Sequence, residues 1–251
     1  MMFNEVPFLE RFGAAARAGF RGVECLLPYD FPVEQIKEQL GRHGLTMALF
    51  NMPAGNWAAG ARGLACDPSA VQQCRDGVTT AIEYAQALGC RRIHLMAGIR
   101  PAGESEDAVR ETYIANVQFA ARAVARYGMA LLIEAINTRD IPGFYLTTSR
   151  QALELMEQVN EENVFFQYDV YHMQIMEGDL ASTLKKHFAR VGHIQIADPP
   201  ARHEPGTGEI NYPFLFDWID GLGYQGWIGC EYRPQGKTED GLAWMSKWKS
   251  L

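Results

Sequence analysis

The alternation of short apolar runs with longer amphipathic stretches is the feature that most restricts how this chain can fold. Such alternation is typical of repeated βα units, which build a parallel sheet covered by helices. It predicts seven strands, at residues 22–27, 47–52, 92–96, 130–135, 164–170, 193–197 and 227–232. It predicts helices at residues 32–43, 68–88, 106–127, 149–159, 180–188, 212–222 and 239–247. The fold class is therefore α/β.

The strand count is one short of a closed barrel, because eight parallel βα units form a (β/α)8 TIM barrel. A further amphipathic stretch, residues 7–18, precedes the first predicted strand. We therefore expect a TIM barrel whose first strand is missing from this chain, either because it lies upstream of Met1 in the natural gene product or because the barrel is open there. A chain that evolved with seven strands is the alternative. Since no linker-like composition break occurs, one domain is expected over residues 1–251.

Composition restricts the partners. A formal net charge of -7 argues against general nucleic-acid binding, which depends on a basic surface. The sequence contains no apolar stretch of membrane-spanning length, and its start lacks the basic and apolar regions of a signal peptide. We therefore expect a cytoplasmic protein with no membrane partner and a small-molecule substrate. The oligomeric state stays open, and a homo-oligomer is compatible with the sequence.

Four predicted strands carry an oxygen-bearing side chain at or near their ends: Glu134, Asp169, Gln195 and Glu231. Unpaired buried carboxylates are costly, and a divalent cation removes that cost. Three carboxylates with one amide suit a hard cation, Mg2+ or Mn2+ first and Co2+ also. Because functional groups of βα barrels lie at the C-terminal strand ends, these four residues are predicted to form one metal site.

Glu134 and Glu231 each follow an almost wholly apolar strand, ALLIE and GWIGCE. Two carboxylates beside one cation can exchange protons with a bound substrate, which suits proton abstraction next to a carbonyl. Surface carboxylates at strand ends are the alternative. Other polar residues also lie at or near predicted strand ends: His94, Asn137, Asp140, His172, Asp198 and Arg202. For each of them the alternative to a functional role is a satisfied hydrogen-bonding group.

Six segments carry a resemblance to a known family: FNMPAGNWAAGARGLAC, LLIEAIN, IPGFYLT, QYDVYHMQ, GHIQIADPPARHEPGTGEINY and GCEYRPQ. From Glu5 onward the chain resembles the hydroxypyruvate isomerases and 2-oxo-tetronate isomerases, within the xylose isomerase-like barrels. The resemblance implies a divalent metal held by the four strand-end residues already named. It also implies that Glu134 and Glu231 act as proton donor and acceptor. The chain departs from these relatives in lacking a first strand ahead of MMFNEVPF.

The activity that the resemblance implies is conversion of hydroxypyruvate to 2-hydroxy-3-oxopropanoate by proton transfer through an enediolate. A 2-dehydrotetronate/3-dehydrotetronate isomerase is the first alternative, and a metal-dependent sugar-acid dehydratase of the same fold is the second. An endonuclease would need more His ligands and a basic groove, and a non-catalytic binding protein would not need paired glutamates.

Four residues are predicted to bind the substrate. His172 is placed to hydrogen-bond a substrate hydroxyl, and Arg202 to pair with the substrate carboxylate. Trp57, in a Gly- and Ala-rich loop, is a candidate to cover one side of the substrate, and His94 lies at a strand end. Each has an alternative explanation. His172 would be a structural histidine and Arg202 a solvated loop arginine. Trp57 would pack against a neighbouring subunit, and His94 would be a satisfied hydrogen-bonding group.

Overall fold

Seven parallel strands form one sheet within residues 1–247, the part of the chain that the computed structural model describes. Each strand pairs with its neighbours in chain order. The strands are β1 (Gly22–Cys25), β2 (Thr46–Asn51), β3 (Arg92–His94), β4 (Ala130–Glu134), β5 (Val164–Asp169), β6 (Val191–Ile196) and β7 (Ile228–Cys230). The α-helices are α1 (Phe8–Arg17), α2 (Val33–His43), α3 (Val71–Leu88), α4 (Glu106–Ala125), α5 (Ser149–Val159), α6 (Val170–Met176), α7 (Leu180–His187) and α8 (Tyr212–Gly221). Short 3-10 helices are Trp57–Ala59, Pro68–Ala70, Phe188–Arg190 and Thr238–Lys247.

The helices pack against the sheet through one apolar face, as α4 illustrates. Ser105 begins this helix, because its side chain accepts a hydrogen bond from the Ala108 backbone N–H at 3.1 Å. Its buried residues recur every three or four positions: Val109, Tyr113, Asn116, Val117, Ala120, Ala121 and Val124. Each large apolar side chain buried in this way contributes roughly 1.5–3 kcal/mol. None of the helices in residues 1–247 has both the length and the apolar character that crossing a membrane requires.

The sheet curves until its two end strands face each other. Trp227, just before β7, packs over Gly22 of β1, where an added Cβ would lie 3.0 Å from the indole ring. Among residues 1–247 no strand lies between β7 and β1. A cavity of about 410 Å³ occupies this gap, lined by the N-terminal segment and by β1, β2 and β7. The expected TIM barrel with one strand missing is therefore confirmed.

The structure differs from the sequence prediction at the end of one strand, where an additional helix begins, and in the type of the last helix. The predicted strand 164–170 ends at Asp169, and α6 begins directly after it. Asp169 itself ends the strand, because its side chain accepts a hydrogen bond from the Tyr171 backbone N–H at 2.8 Å. Apolar Val170 hid this boundary from a pattern-based prediction. Thr238–Lys247 is a 3-10 helix rather than the α-helix predicted at residues 239–247.

Candidate active site

Three carboxylates converge at the C-terminal ends of the strands. Glu134 ends β4, Asp169 ends β5 and Glu231 follows β7, while His172 lies in the first turn of α6. One ligand atom of each of these four residues lies within 4.8 Å of those of the other three. Glu134, Asp169 and His172 are buried and Glu231 is partly buried. The barrel therefore concentrates negative charge on the face where the sequence predicts a site.

The electrostatics of this cluster favour a positive occupant. Burial, then the charges of Glu231 and Asp169, raise the pKa of Glu134 well above its usual range. Burial raises the pKa of Asp169 to about 7, with Arg202 opposing and Glu231 adding to the rise. Glu134 Oε1 and Asp169 Oδ2 have no hydrogen-bond donor within residues 1–247. The carboxylate donors fit a divalent cation, which would lower the pKa values of both residues.

Asp169→Asn is expected to change the pH dependence of the unfolding free energy of metal-free protein. Asp169 titrates at about 3.9 in an unfolded chain and at about 7 in the folded protein. Because the folded state binds this proton more tightly, wild type loses stability as pH rises from about 4 to about 7. The variant lacks the titrating group, so over this pH range its unfolding free energy should rise relative to that of wild type by a few kcal/mol, on the order of the linkage energy. Urea denaturation with chelator measures the difference, and a pH-independent difference would contradict the prediction.

Arg202 supplies positive charge to the cluster. Its Nη2 lies 2.5 Å from Glu231 Oε2 and 3.5 Å from Asp169 Oδ2, and its Nη1 lies 3.3 Å from Asp140 Oδ2. The guanidinium also stacks over the Tyr171 ring at 4.9 Å. Only 12% of its side chain is exposed. The arginine predicted to meet a substrate carboxylate therefore lies among the protein's own carboxylates.

Asp198 holds the loop that carries Arg202. Its carboxylate accepts hydrogen bonds from the backbone N–H groups of Gly206 at 2.9 Å, Gly208 at 3.0 Å and Ile210 at 3.1 Å. Residue 208 must be glycine here, because an added Cβ would collide with the Pro199 carbonyl. The segment EPGTGEIN thus wraps around a buried carboxylate. Asp198 is a satisfied hydrogen-bonding group, as the sequence analysis allowed.

Hydrogen bonds determine which ring nitrogen of His172 carries the proton. Asn137 Oδ1 accepts from the backbone N–H groups of Arg139 at 3.0 Å and Asp140 at 2.8 Å, so Asn137 Nδ2 is the atom that donates to His172 Nδ1 at 2.6 Å. Burial, then Arg202, lower the pKa of His172 well below its usual range, so the ring is neutral. Its proton is therefore on Nε2, which faces Asp169 Oδ2 at 3.5 Å. A protonated nitrogen donates hydrogen bonds and does not bind a cation.

The other two predicted substrate-binding residues differ in their surroundings. His94 is fully buried, with Nδ1 at 3.1 Å from Asn51 Oδ1 and 3.6 Å from Glu134 Oε2. Burial, then His193, lower its pKa to about 3, so this ring is neutral beside the catalytic candidate. The ring partner of Trp57 is the Arg62 guanidinium at 4.1 Å, and its covering of a substrate stays a prediction.

Gln195, the predicted amide ligand, belongs to a polar network inside the barrel. Its Oε1 accepts from Gln167 Nε2 at 2.5 Å, and its Nε2 donates to Glu24 Oε1 at 2.9 Å. Glu24 Oε2 lies 2.7 Å from His193 Nε2. Burial alone would raise the pKa of Glu24, but the ion pair and hydrogen bond with His193, together with the Gln195 hydrogen bond, lower it. Glu24 was not among the predicted site residues, because it lies within the predicted strand 22–27 and not at its end.

These features define a class of protein. The chain is a parallel βα barrel whose carboxylates converge at the C-terminal strand ends, the face on which enzymes of this architecture place their chemistry.

Comparisons with known proteins identify the family. The family model of xylose isomerase-like TIM barrels matches residues 12–248. Hydroxypyruvate isomerase of Escherichia coli (strain K12) is 50% identical over 99% of this chain and 96% of its own length. 2-Oxo-tetronate isomerase of Cupriavidus necator is 49% identical over 99% of this chain and 95% of its own length. The crystal structure of AP endonuclease, family 2, from Brucella melitensis has a TM-score of 0.96 and 50% identity, covering 98% of this chain and 95% of that one.

The chain belongs to the xylose isomerase-like TIM barrels and, within them, to the hydroxypyruvate isomerase and 2-oxo-tetronate isomerase family. The resemblance seen in the sequence and the prediction of an isomerase are therefore confirmed. The roles of the individual site residues stay predictions.

Proposed function

We propose that this protein is a divalent-metal-dependent isomerase that interconverts hydroxypyruvate and 2-hydroxy-3-oxopropanoate. The observation that carries the proposal is the convergence of two strand-end glutamates, Glu134 and Glu231, with Asp169 in one cluster. The hydroxypyruvate isomerase of Escherichia coli, 50% identical over nearly the whole chain, supports the substrate.

Glu134, Asp169, Gln195 and Glu231 would hold the cation, Mg2+ or Mn2+ first and Co2+ also. When bound, the cation would polarise the substrate's carbonyl and neighbouring hydroxyl oxygens and so acidify the C–H bond between them. Gln195 Oε1 accepts one hydrogen bond, from Gln167, and its second lone pair would serve as the ligand.

The protein's own side chains would move the protons. One glutamate of the Glu134 and Glu231 pair removes a proton from the CH2OH carbon of hydroxypyruvate, which gives an enediolate. The other glutamate delivers a proton to the adjacent carbon, and the hydroxyl proton of the first carbon passes to the oxygen of the second, so the two carbons exchange oxidation levels without a redox cofactor. His172 would donate its Nε2–H to a substrate oxygen. Arg202 would bind the substrate carboxylate with its paired N–H groups.

An isomerisation assay tests this function directly. Purified protein would be incubated with hydroxypyruvate and Mg2+ or Mn2+, with and without EDTA, and the products followed by proton NMR. We expect turnover that requires the cation. No turnover by folded, metal-loaded protein would overturn the proposal.

A four-carbon substrate is the second candidate. The 2-oxo-tetronate isomerase of Cupriavidus necator is 49% identical, almost equal to the hydroxypyruvate isomerase relative. The two substrates differ by one hydroxymethylene group, so the ratio of their kcat/KM values in the same assay decides between them. The Brucella melitensis structure is named as an AP endonuclease, so DNA with an abasic site is the third substrate to assay. We expect no activity on it, because the net charge of -7 disfavours DNA binding.

A further inference from the structure

Glu24 is a partly buried carboxylate that has no role in the proposed reaction. It lies on β1, inside the barrel, and only 17% of its side chain is exposed. It accepts hydrogen bonds from two residues of β6, Gln195 Nε2 at 2.9 Å and His193 Nε2 at 2.7 Å. It therefore links β1 to the strand that carries the predicted amide ligand.

Gly229 of β7 makes this link feasible. It is the register partner of Gln195, so it lies between β6 and the gap in the barrel. A Cβ at residue 229 would collide with both carboxylate oxygens of Glu24. A glycine at this position lets the Glu24 side chain reach across β7 to Gln195.

The contact determines which way the Gln195 amide faces. Glu24 Oε1 accepts a hydrogen bond from the amide nitrogen of Gln195, which therefore faces β1. Its oxygen is then turned toward β5, where Gln167 Nε2 donates to it at 2.5 Å. β5 also carries Asp169, which is the register partner of Gln195. The oxygen therefore lies on the β5 side of β6, with Asp169, and the nitrogen lies on the side of β1.

We propose that Glu24, held by His193, is a positioning residue that keeps Gln195 Oε1 turned toward the cation site. This inference rests on the proposed function, because it assumes that Gln195 is a metal ligand. It assigns Glu24 no contact with the substrate. Reversal of the amide would place an N–H group at the cation site, and an N–H group is not a ligand for a hard cation.

Glu24→Gln is the first test. The introduced amide can donate to Gln195 as well as accept, so the Gln195 oxygen is free to turn toward residue 24. We expect the Kd for Mn2+, measured by calorimetry on chelator-treated protein, to rise roughly 10–100-fold, the usual effect of removing a partner that orients a ligand. Glu161→Gln is the matched control, because Glu161 precedes β5 at the opposite end of the barrel, paired with exposed Arg122. It should leave the Kd unchanged.

The double variant Glu24→Gln with Gln195→Glu exchanges the two groups and preserves the total charge. The introduced amide at residue 24 would donate to one oxygen of the introduced carboxylate at residue 195, and the other oxygen would face the cation whichever way the group turns. We expect this exchange to restore Mn2+ binding to near the wild-type Kd. It also serves if Glu24→Gln alone does not fold.

The outcomes separate the positioning role from the proposed function. Wild-type Mn2+ affinity in Glu24→Gln, or a folded double variant that fails to regain binding, would overturn the role of Glu24 and leave the isomerase proposal standing. A wild-type protein that binds no Mn2+ would overturn both. A merely structural role for Glu24 predicts a loss of thermal stability without metal and an unchanged Kd, which also contradicts the proposal.

Discussion

Glu134→Gln and Glu231→Gln are each expected to reduce isomerisation of hydroxypyruvate by roughly 10³-fold or more. Each change removes a proton-transfer group and weakens a cation ligand at once. The isosteric amide preserves packing, and Glu134→Gln removes a carboxyl group whose ionisation burial, Glu231 and Asp169 all disfavour, so the metal-free Glu134→Gln protein should stay folded. Steady-state kinetics in saturating Mn2+ measure the effect. Retention of more than about a tenth of wild-type turnover would contradict a proton-transfer role for that residue.

A matched control and a second measurement separate the two roles. Glu209→Gln makes the same chemical change in the loop that carries Arg202, on an exposed side chain whose partner is Gln174 at 3.2 Å. Its turnover should stay near wild type. The Kd for Mn2+ of each active-site variant then shows whether turnover was lost with the cation or with the proton transfer. Exchange of substrate C–H for deuterium in D2O identifies a variant that still removes a proton but no longer delivers one.

The sequence predicted the fold and the carboxylates by the same physical argument. Carboxylates at the ends of apolar strands are too costly to bury without a purpose, so Glu134 and Asp169 stand out in ALLIE and VFFQYD. Their convergence follows from parallel strands, whose C-terminal ends share one face. The curved sheet then brings in Glu231 from the far end of the chain. These residues were predictable because local pattern and topology both specify them.

Other parts of the site depend on contacts that no local pattern encodes. The Glu24 link to Gln195 requires β1 and β6 to face each other across Gly229, a relation between residues far apart in the chain. The tautomer of His172 depends on backbone groups that fix Asn137. A residue type suggests a role, but hydrogen-bond partners decide whether the group donates or accepts.

Replacement of Arg202 is expected to have the second large effect, a loss of stability, because Arg202 offsets the charge of the carboxylate cluster when no cation is bound. Arg202→Met keeps most of the side-chain volume and removes the guanidinium that lies 2.5 Å from Glu231 and 3.5 Å from Asp169. Removing one partner of a buried ion pair leaves the other charge uncompensated. The metal-free variant should therefore lose about 3 kcal/mol of unfolding free energy. Mn2+ would replace the lost positive charge, and the loss should therefore shrink when the cation is present. Thermal melts with Mn2+ and with EDTA measure both values.

The same variant tests whether Arg202 binds the substrate. Because its paired N–H groups suit a carboxylate, Arg202→Met should raise the KM for hydroxypyruvate by roughly 10-fold or more, even where Mn2+ restores stability. Arg122→Met is the control, since Arg122 is exposed and its ion pair with Glu161 lies away from the cluster. An equal stability loss with and without Mn2+ would show that Arg202 and the cation do not share the task of balancing the carboxylates. An unchanged KM would show that the guanidinium serves the protein's own carboxylates and not that of the substrate.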